Sequence, residues 1–254
     1  MVEKSIIIER EQAKLINNLK TSIVKLGVKN KAKHVVCDYC DEVYYYFSFA
    51  FLDKYKDEID KIILEELSNI YIYNHKFNYF NKNIKFDQID DTYRMAFIKA
   101  LVHFDKIQDR EFIKYELKYD NINVNSFYKF KLKCLEERWE EIVIMTNENS
   151  AYLLSTSSFL ELLKFLVKNI EVSFDILNVY LDNKKIKVIN QENDIVFECS
   201  IPKEKLSAFF IQILIEYSAK EVNIYANYNQ RKSLAILNKI FDNKINFFAS
   251  PIIN

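Results

Sequence analysis

A chain of 254 residues is long enough for one large domain or two small ones, and its 50% hydrophobic and 28% charged content is that of a soluble globular protein. Its 36 basic and 36 acidic side chains cancel, so no net field draws it to DNA, RNA or an acidic membrane. It has one glycine, Gly27, which excludes Walker loops and dinucleotide fingerprints, because a phosphate-cradling backbone needs several. Tight turns must then use Asn and Asp, which tolerate left-handed backbone.

Lys4 to Ile8 is a short β-branched run and reads as a strand. Glu9 to Leu26 has helical period, with Ala13, Ile16, Leu19 and Ile23 on one face and Gly27 placed as a left-handed C-cap. His34–Cys37 and Glu42–Phe49 read as strands joined by an Asp38–Asp41 turn. Asp53–Ile72 returns to helical period, and the aromatic, Asn-rich stretch 73–86 has no assignable period. Asp87–Asp109 reads as a helix with Asp87, Asp90 and Asp91 at its positive end, and Asn121–Asn125 as a break.

Ser126–Met145 reads as one long helix, and Ser158-Phe-Leu-Glu161 as a capping box that opens the next. Ser173–Tyr180 and Lys185–Ile189 form a hairpin across Asp182-Asn183, followed by a strand at Asp194–Cys199. Pro202 opens a helix over 203–218, with Leu206, Phe210 and Ile213 as core. Strand 221–226, helix Asn229–Phe241 and strand Ile245–Ala249, ended by Pro251, complete the chain. No internal repeat of fixed period is read. A βαβαβ run follows if 194–199 pairs in parallel with 221–226. The expected fold is α+β: a mainly helical region with short strands over 1–120, and a mixed sheet packed with helices over 121–254.

The order of elements in the C-terminal half resembles the YtxC-like sporulation proteins of spore-forming bacteria. Three stretches carry the likeness: Phe127-Tyr-Lys-Phe130-Lys-Leu132 with the acidic Glu136, Glu137, Glu140 and Glu141; Ser158 to Val172 leading into Ile176-Leu-Asn-Val179; and Ile201 to Phe241, closing on Ile236-Leu-Asn-Lys-Ile240-Phe241. Residues 124–250 are covered. The family's Cys-containing tail is replaced here by Phe247-Phe-Ala-Ser-Pro251. The resemblance implies a sporulation role and a cytoplasmic location, and no reaction.

The most site-like string is His34-Val-Val-Cys37-Asp-Tyr-Cys40. A zinc site needs about four ligands, and these are three without a second C-x-x-C pair. Strand residues three apart face opposite ways; a turn at Asp38–Asp41 could bring Cys37 and Cys40 together but would still need a fourth ligand, so tight zinc binding is not expected. Cys134 and Cys199 lie elsewhere, and four cysteines make no disulfide framework in a chain of this length. The carboxylates of Glu136, Glu137, Glu140 and Glu141 read as a hydrated helix face, and Trp139 as a core anchor. Tyr128 to Lys133 interleaves aromatic and basic residues as single-strand binders do, but the lysines spread around a helix and the acidic run follows, so nucleic acid is not the expected partner. No run of about 18 apolar residues predicts a membrane span, and the N-terminal apolar run is too short for a signal peptide. The expected protein is non-enzymatic, cytoplasmic and free of cofactors, and acts through protein contacts. The alternative is a nucleic-acid binder using the surface of 127–133.

Overall fold

In a computed structural model the described residues are 1–85, 90–150, 156–182, 185–201 and 206–249, the side chains of Thr92 and Thr156 excepted. The fold is α+β, with two sheets among the described residues. It divides into two compact units: residues 1–82 with 107–143, and residues 83–106 with 144–254. The units are interleaved along the chain, unlike a consecutive division at 120/121. Residues 91–104 belong with the C-terminal half, and residues 107–120 stay with the N-terminal one.

In the first unit β1 (Val2–Glu9) lies between β3 (Tyr44–Phe51) and β4 (Asn121–Asn123), and β2 (His34–Cys40) forms the edge beyond β3. The order is β2-β3-β1-β4. β1–β3 and β2–β3 are antiparallel, and β1–β4 is parallel. β4 lies inside the stretch expected to be a plain break. Asn123 also caps the following helix, its side chain accepting from the Ser126 amide at 2.9 Å.

Alternation sets the two faces of this sheet. Ile6, Ile8, Phe47, Phe49 and Phe51 are buried on the inner face. α1 (Asn17–Lys29) and α2 (Lys56–Ile70) cover that face. Lys20 of α1 donates to Asp38 at 2.5 Å and to the Tyr45 hydroxyl. Lys4, only 9% exposed, holds Asp60 and Asp120, each at 3.1 Å.

Three local expectations change here. The first helix begins as a 3-10 segment, Arg10–Ile16, before α1. Asp38, Tyr39 and Cys40 remain in β2, and the turn falls at 41–43, where Asp41 accepts from the amides of Val43 and Tyr44 at 2.8 and 2.6 Å. Gly27 is inside α1 without positive φ, so it is not a C-cap. Its missing side chain makes room for His34, whose Cε1 would lie 2.4 Å from a Cβ. Asn193 and Asp242 do take positive φ, as expected for turns without glycine, and so does Lys31.

α2 runs on through a π-type turn, Tyr71–Lys76, into α3 (Phe77–Asn83), so the unassigned stretch is largely helical. α4 (Asp91–Phe104) and α5 (Lys106–Glu116) break at Asp105. Asp87 is outside the described residues. The long helix expected over 126–145 is two, α6 (Val124–Lys131) and α7 (Lys133–Glu148), interrupted at the buried Leu132 with φ −100° and ψ 17°.

In the second unit the sheet order is β7-β6-β5-β8-β9, with β5 (Phe174–Leu181), β6 (Lys185–Asn190), β7 (Ile195–Ser200), β8 (Ala219–Ala226) and β9 (Ile245–Ala249). β5, β6 and β7 form an antiparallel meander. β8 pairs in parallel with β5 on one side and β9 on the other. The 194–199 strand is therefore an edge of the sheet, and 174–181 is the parallel neighbour of β8. β5 is apolar enough to be central, with Leu177, Val179 and Leu181 buried.

α8 (Thr156–Lys168) starts before Ser158, which lies in its first turn and is not an N-cap. α9 (Leu206–Glu216) has Phe210 and Ile211 at 0% exposure, and Leu206 is half-buried, not core. Pro202, Asn183 of the Asp182-Asn183 turn and Pro251 are outside the described residues. The helix expected over 229–241 is two short ones, α10 (Tyr228–Ser233) and α11 (Leu237–Phe241).

Candidate functional site

Burial identifies one polar centre in the first unit that sequence reading missed. Lys76, at the end of the π-type turn, donates to Asp109 of α5 at 2.7 Å, and both side chains are fully buried. Trp139 of α7 is also fully buried and donates its indole N–H to the same Asp109 oxygen at 3.4 Å. The ammonium lies 5.5 Å from the Phe80 ring centroid and 5.9 Å from that of Trp139, so aromatic faces line the cation.

Beside the pair, His75 stacks on Tyr128 at 4.3 Å, and its Nε2 is buried without a hydrogen-bond partner among the described residues. Burial lowers its pKa. Burial also raises the Tyr128 phenol, and the Glu136 carboxylate adds to that rise. Tyr71 donates to the Val124 carbonyl at 3.1 Å and stacks on Phe127.

The centre is closed. A general acid or base must reach its substrate directly or through a water, and the side chains of Lys76 and Asp109 are both fully buried. The arrangement clamps α5 and α7 onto the π-type turn. Its sequence signal was available: Ile72, Lys76 and Phe80 share one helical stripe, as do Asp109 and Ile113, so each charge occupies an apolar position.

The zinc candidates read from the sequence separate. His34 pairs with Phe51, Cys37 with Ser48 and Cys40 with Tyr45. His34 faces inward, stacked on Phe51 at 5.1 Å with Nδ1 2.8 Å from the Ala32 carbonyl. Cys37 faces outward, and Cys40 shares the inner side with His34 but stands six residues along, roughly 20 Å away at ~3.3 Å per residue. These three do not converge on one ion. Among the described residues, no group of three or more His, Cys, Asp or Glu side chains could hold a metal.

Trp139 is the core anchor the sequence predicts. Of the 127–133 string, Phe127 and Tyr128 turn inward, and Phe130 stands 70% exposed between exposed lysines. Two of the three aromatic platforms a single-stranded nucleic acid would need are thereby used in packing. Glu137, Glu140 and Glu141 are exposed, as a hydrated face requires.

Two open sheet faces remain. In the first unit the outward row of β2 is Val35, Cys37 and Tyr39, with Val35 66% and Tyr39 62% exposed. Opposite them on β3 lie Ala50, Ser48 and Tyr46. Next to this row is an open groove of about 720 Å³ that includes the hydroxyl pair Ser5–Ser48, 2.7 Å apart, and Cys37. None of its described lining residues is a histidine.

In the second unit a short pattern recurs on three strands: Leu177-Asn178-Val179-Tyr180, Val222-Asn223-Ile224-Tyr225 and Ile245-Asn246-Phe247-Phe248. Parallel pairing aligns them in register. The three Asn form an amide ladder, with Asn223 donating to Asn178 at 3.4 Å and Asn246 to Asn223 at 3.2 Å. The three aromatics stack, with centroids 4.7 and 5.2 Å apart. This apolar-Asn-apolar-aromatic repeat was legible in the sequence. Its spacing is irregular, so a search for a fixed period passes over it.

Among the described residues no helix is long and apolar enough to cross a membrane. Comparison with known proteins finds no matching family model, no matching curated protein and no matching solved structure.

Proposed function

We propose that the chain is a non-enzymatic interaction protein of the cytoplasm, working in sporulation through protein contacts made by the edge of its N-terminal sheet. The observation that carries this reading is β2. It is a seven-residue strand with one strand neighbour among the described residues, and it presents Val35 and Tyr39 largely to solvent. An edge of this kind offers unpaired backbone donors and acceptors, and natural edges are usually blunted by lysine, proline or a bulge. β2 has neither lysine nor proline, and its pairing with β3 runs without a register shift. Covering an exposed Val-sized side chain contributes about 1.5–3 kcal/mol. The sporulation and cytoplasmic parts of the proposal are supported by the resemblance over 124–250.

The test is complementation in the parent organism. Deletion should lower spore yield, and the wild-type gene should restore it. The Val35→Lys/Tyr39→Lys variant should be folded, with unchanged circular dichroism, and should fail to restore. Normal sporulation after deletion would remove the sporulation role. Full rescue by the variant would remove β2 as the working surface.

A further inference from the structure

Resting on the interaction reading above, we infer that the partner of β2 is β2 of a second copy of this chain, paired antiparallel about a twofold axis through Cys37, so that two four-stranded sheets join into one of eight strands. An antiparallel pair across a twofold axis matches residues whose numbers have a constant sum. That sum must be even here, because paired residues lie on the same face of the joined sheet and faces alternate with residue number. Centring on Cys37 pairs all seven residues, His34 to Cys40.

On the outer face Val35 then meets Tyr39 of the copy, Cys37 meets Cys37, and Tyr39 meets Val35. The exposed apolar row is self-complementary and covers itself. On the inner face Val36 meets Asp38, so that carboxylate faces an aliphatic side chain while it keeps its ion pair to Lys20 at 2.5 Å. No like charges are opposed within the strand.

The flanks argue for the same partner. The segment entering β2 carries the exposed Lys31 and Lys33, and the segment leaving it carries Asp41 and Glu42. Extending the pairing sets Lys33 opposite Asp41 of the copy, and the twofold axis repeats this at the other end. The Asp41 carboxylate accepts from Val43 N, Tyr44 N and, at 3.0 Å, the Tyr46 hydroxyl. These bonds fix it in place and favour its charged form. A single edge that is basic at one end and acidic at the other is complementary to its own antiparallel image. An unrelated strand would need that charge order by coincidence.

The full-length protein should sediment as a dimer at high micromolar concentration. Val35→Lys/Tyr39→Lys puts lysine opposite lysine at both ends of the outer row and should raise the dimer Kd at least about tenfold. Those positions are exposed, so the fold is retained. In a second arm, Cys40, Cys134 and Cys199 are changed to Ser, and a short bismaleimide should link the remaining Cys37 into covalent dimers. A matched protein whose only cysteine is Cys134 should not link. A monomer at every concentration, a dimer indifferent to the two lysines, or Cys37 linking no faster than Cys134 would each overturn self-pairing. A monomer whose double variant still fails to complement would leave the interaction reading standing while removing this partner.

Discussion

Lys76→Met should damage the protein more than its single lost hydrogen bond suggests. Lys76 and Asp109 are both fully buried, with Nζ 2.7 Å from Oδ2. Removing the ammonium takes the ion-pair partner away from a fully buried Asp109 carboxylate, which also accepts the long 3.4 Å indole bond of Trp139. Breaking one side of a buried pair typically costs about 3–5 kcal/mol, a large part of the ~5–15 kcal/mol that holds a native domain together. Replacing both partners, Lys76→Met/Asp109→Leu, removes the stranded charge. It orphans the indole N–H, at about 1–3 kcal/mol, and regains the desolvation of two ions. The double variant should therefore be more stable than Lys76→Met alone and within about 2 kcal/mol of the parent. Urea unfolding followed by Trp139 fluorescence measures this directly, because it is the sole tryptophan and touches the pair. A loss below about 1 kcal/mol for Lys76→Met, or a double-variant loss equal to the sum of both single variants, would refute the reasoning.

Phe210→Ala should cost about 3–5 kcal/mol in a denaturant titration, since Phe210 is fully buried in α9; a cost near zero would mean that α9 is not core. Gly27→Ala should destabilise by about 1–2 kcal/mol, the His34 clash exceeding the gain in helix propensity. In a His34→Ala background the same change should stabilise by roughly 0.5–1 kcal/mol, and no change of sign would sink the close-packing explanation. His75 is held neutral by burial, its folded pKa below the unfolded value of 6.5. The unfolded chain binds the extra proton first, so stability is full above about pH 6.5 and falls as pH drops from there toward the folded pKa. His75→Phe, which keeps the stacking on Tyr128, should flatten that part of the pH–stability curve; identical slopes would show that His75 is not the group responsible.

The strands and helices were legible wherever one face alternates or repeats locally. Glu221–Ala226 reads as a strand because Val222, Ile224 and Ala226 alternate with polar neighbours, and all three are buried. That Cys37 faces the side opposite to His34 also followed from period two alone. Helix breaks were not legible. The Ser126–Met145 periodicity runs unbroken through Leu132, and only the burial of that side chain accompanies the interruption of the helix there.

Gly27 shows the limit most plainly. Its place after an apolar stripe is where a C-cap glycine belongs, and local propensity supports that reading. A ring seven residues later, brought over it by β2, is what requires the missing side chain. Lys76 and Asp109, 33 residues apart, are the same case in charge. Each is visible in the sequence as a misplaced ion, and neither names the other. The three apolar-Asn-apolar-aromatic strands were present as strings, but their amide and ring ladders exist only once parallel pairing sets them in register. Periodicity is a property of neighbours a few residues apart, and amino-acid identity records it. Register, close approach and the partner of a buried charge are set by loop closure and by burial over tens of residues, where the whole core decides which of many locally acceptable pairings is lowest in free energy.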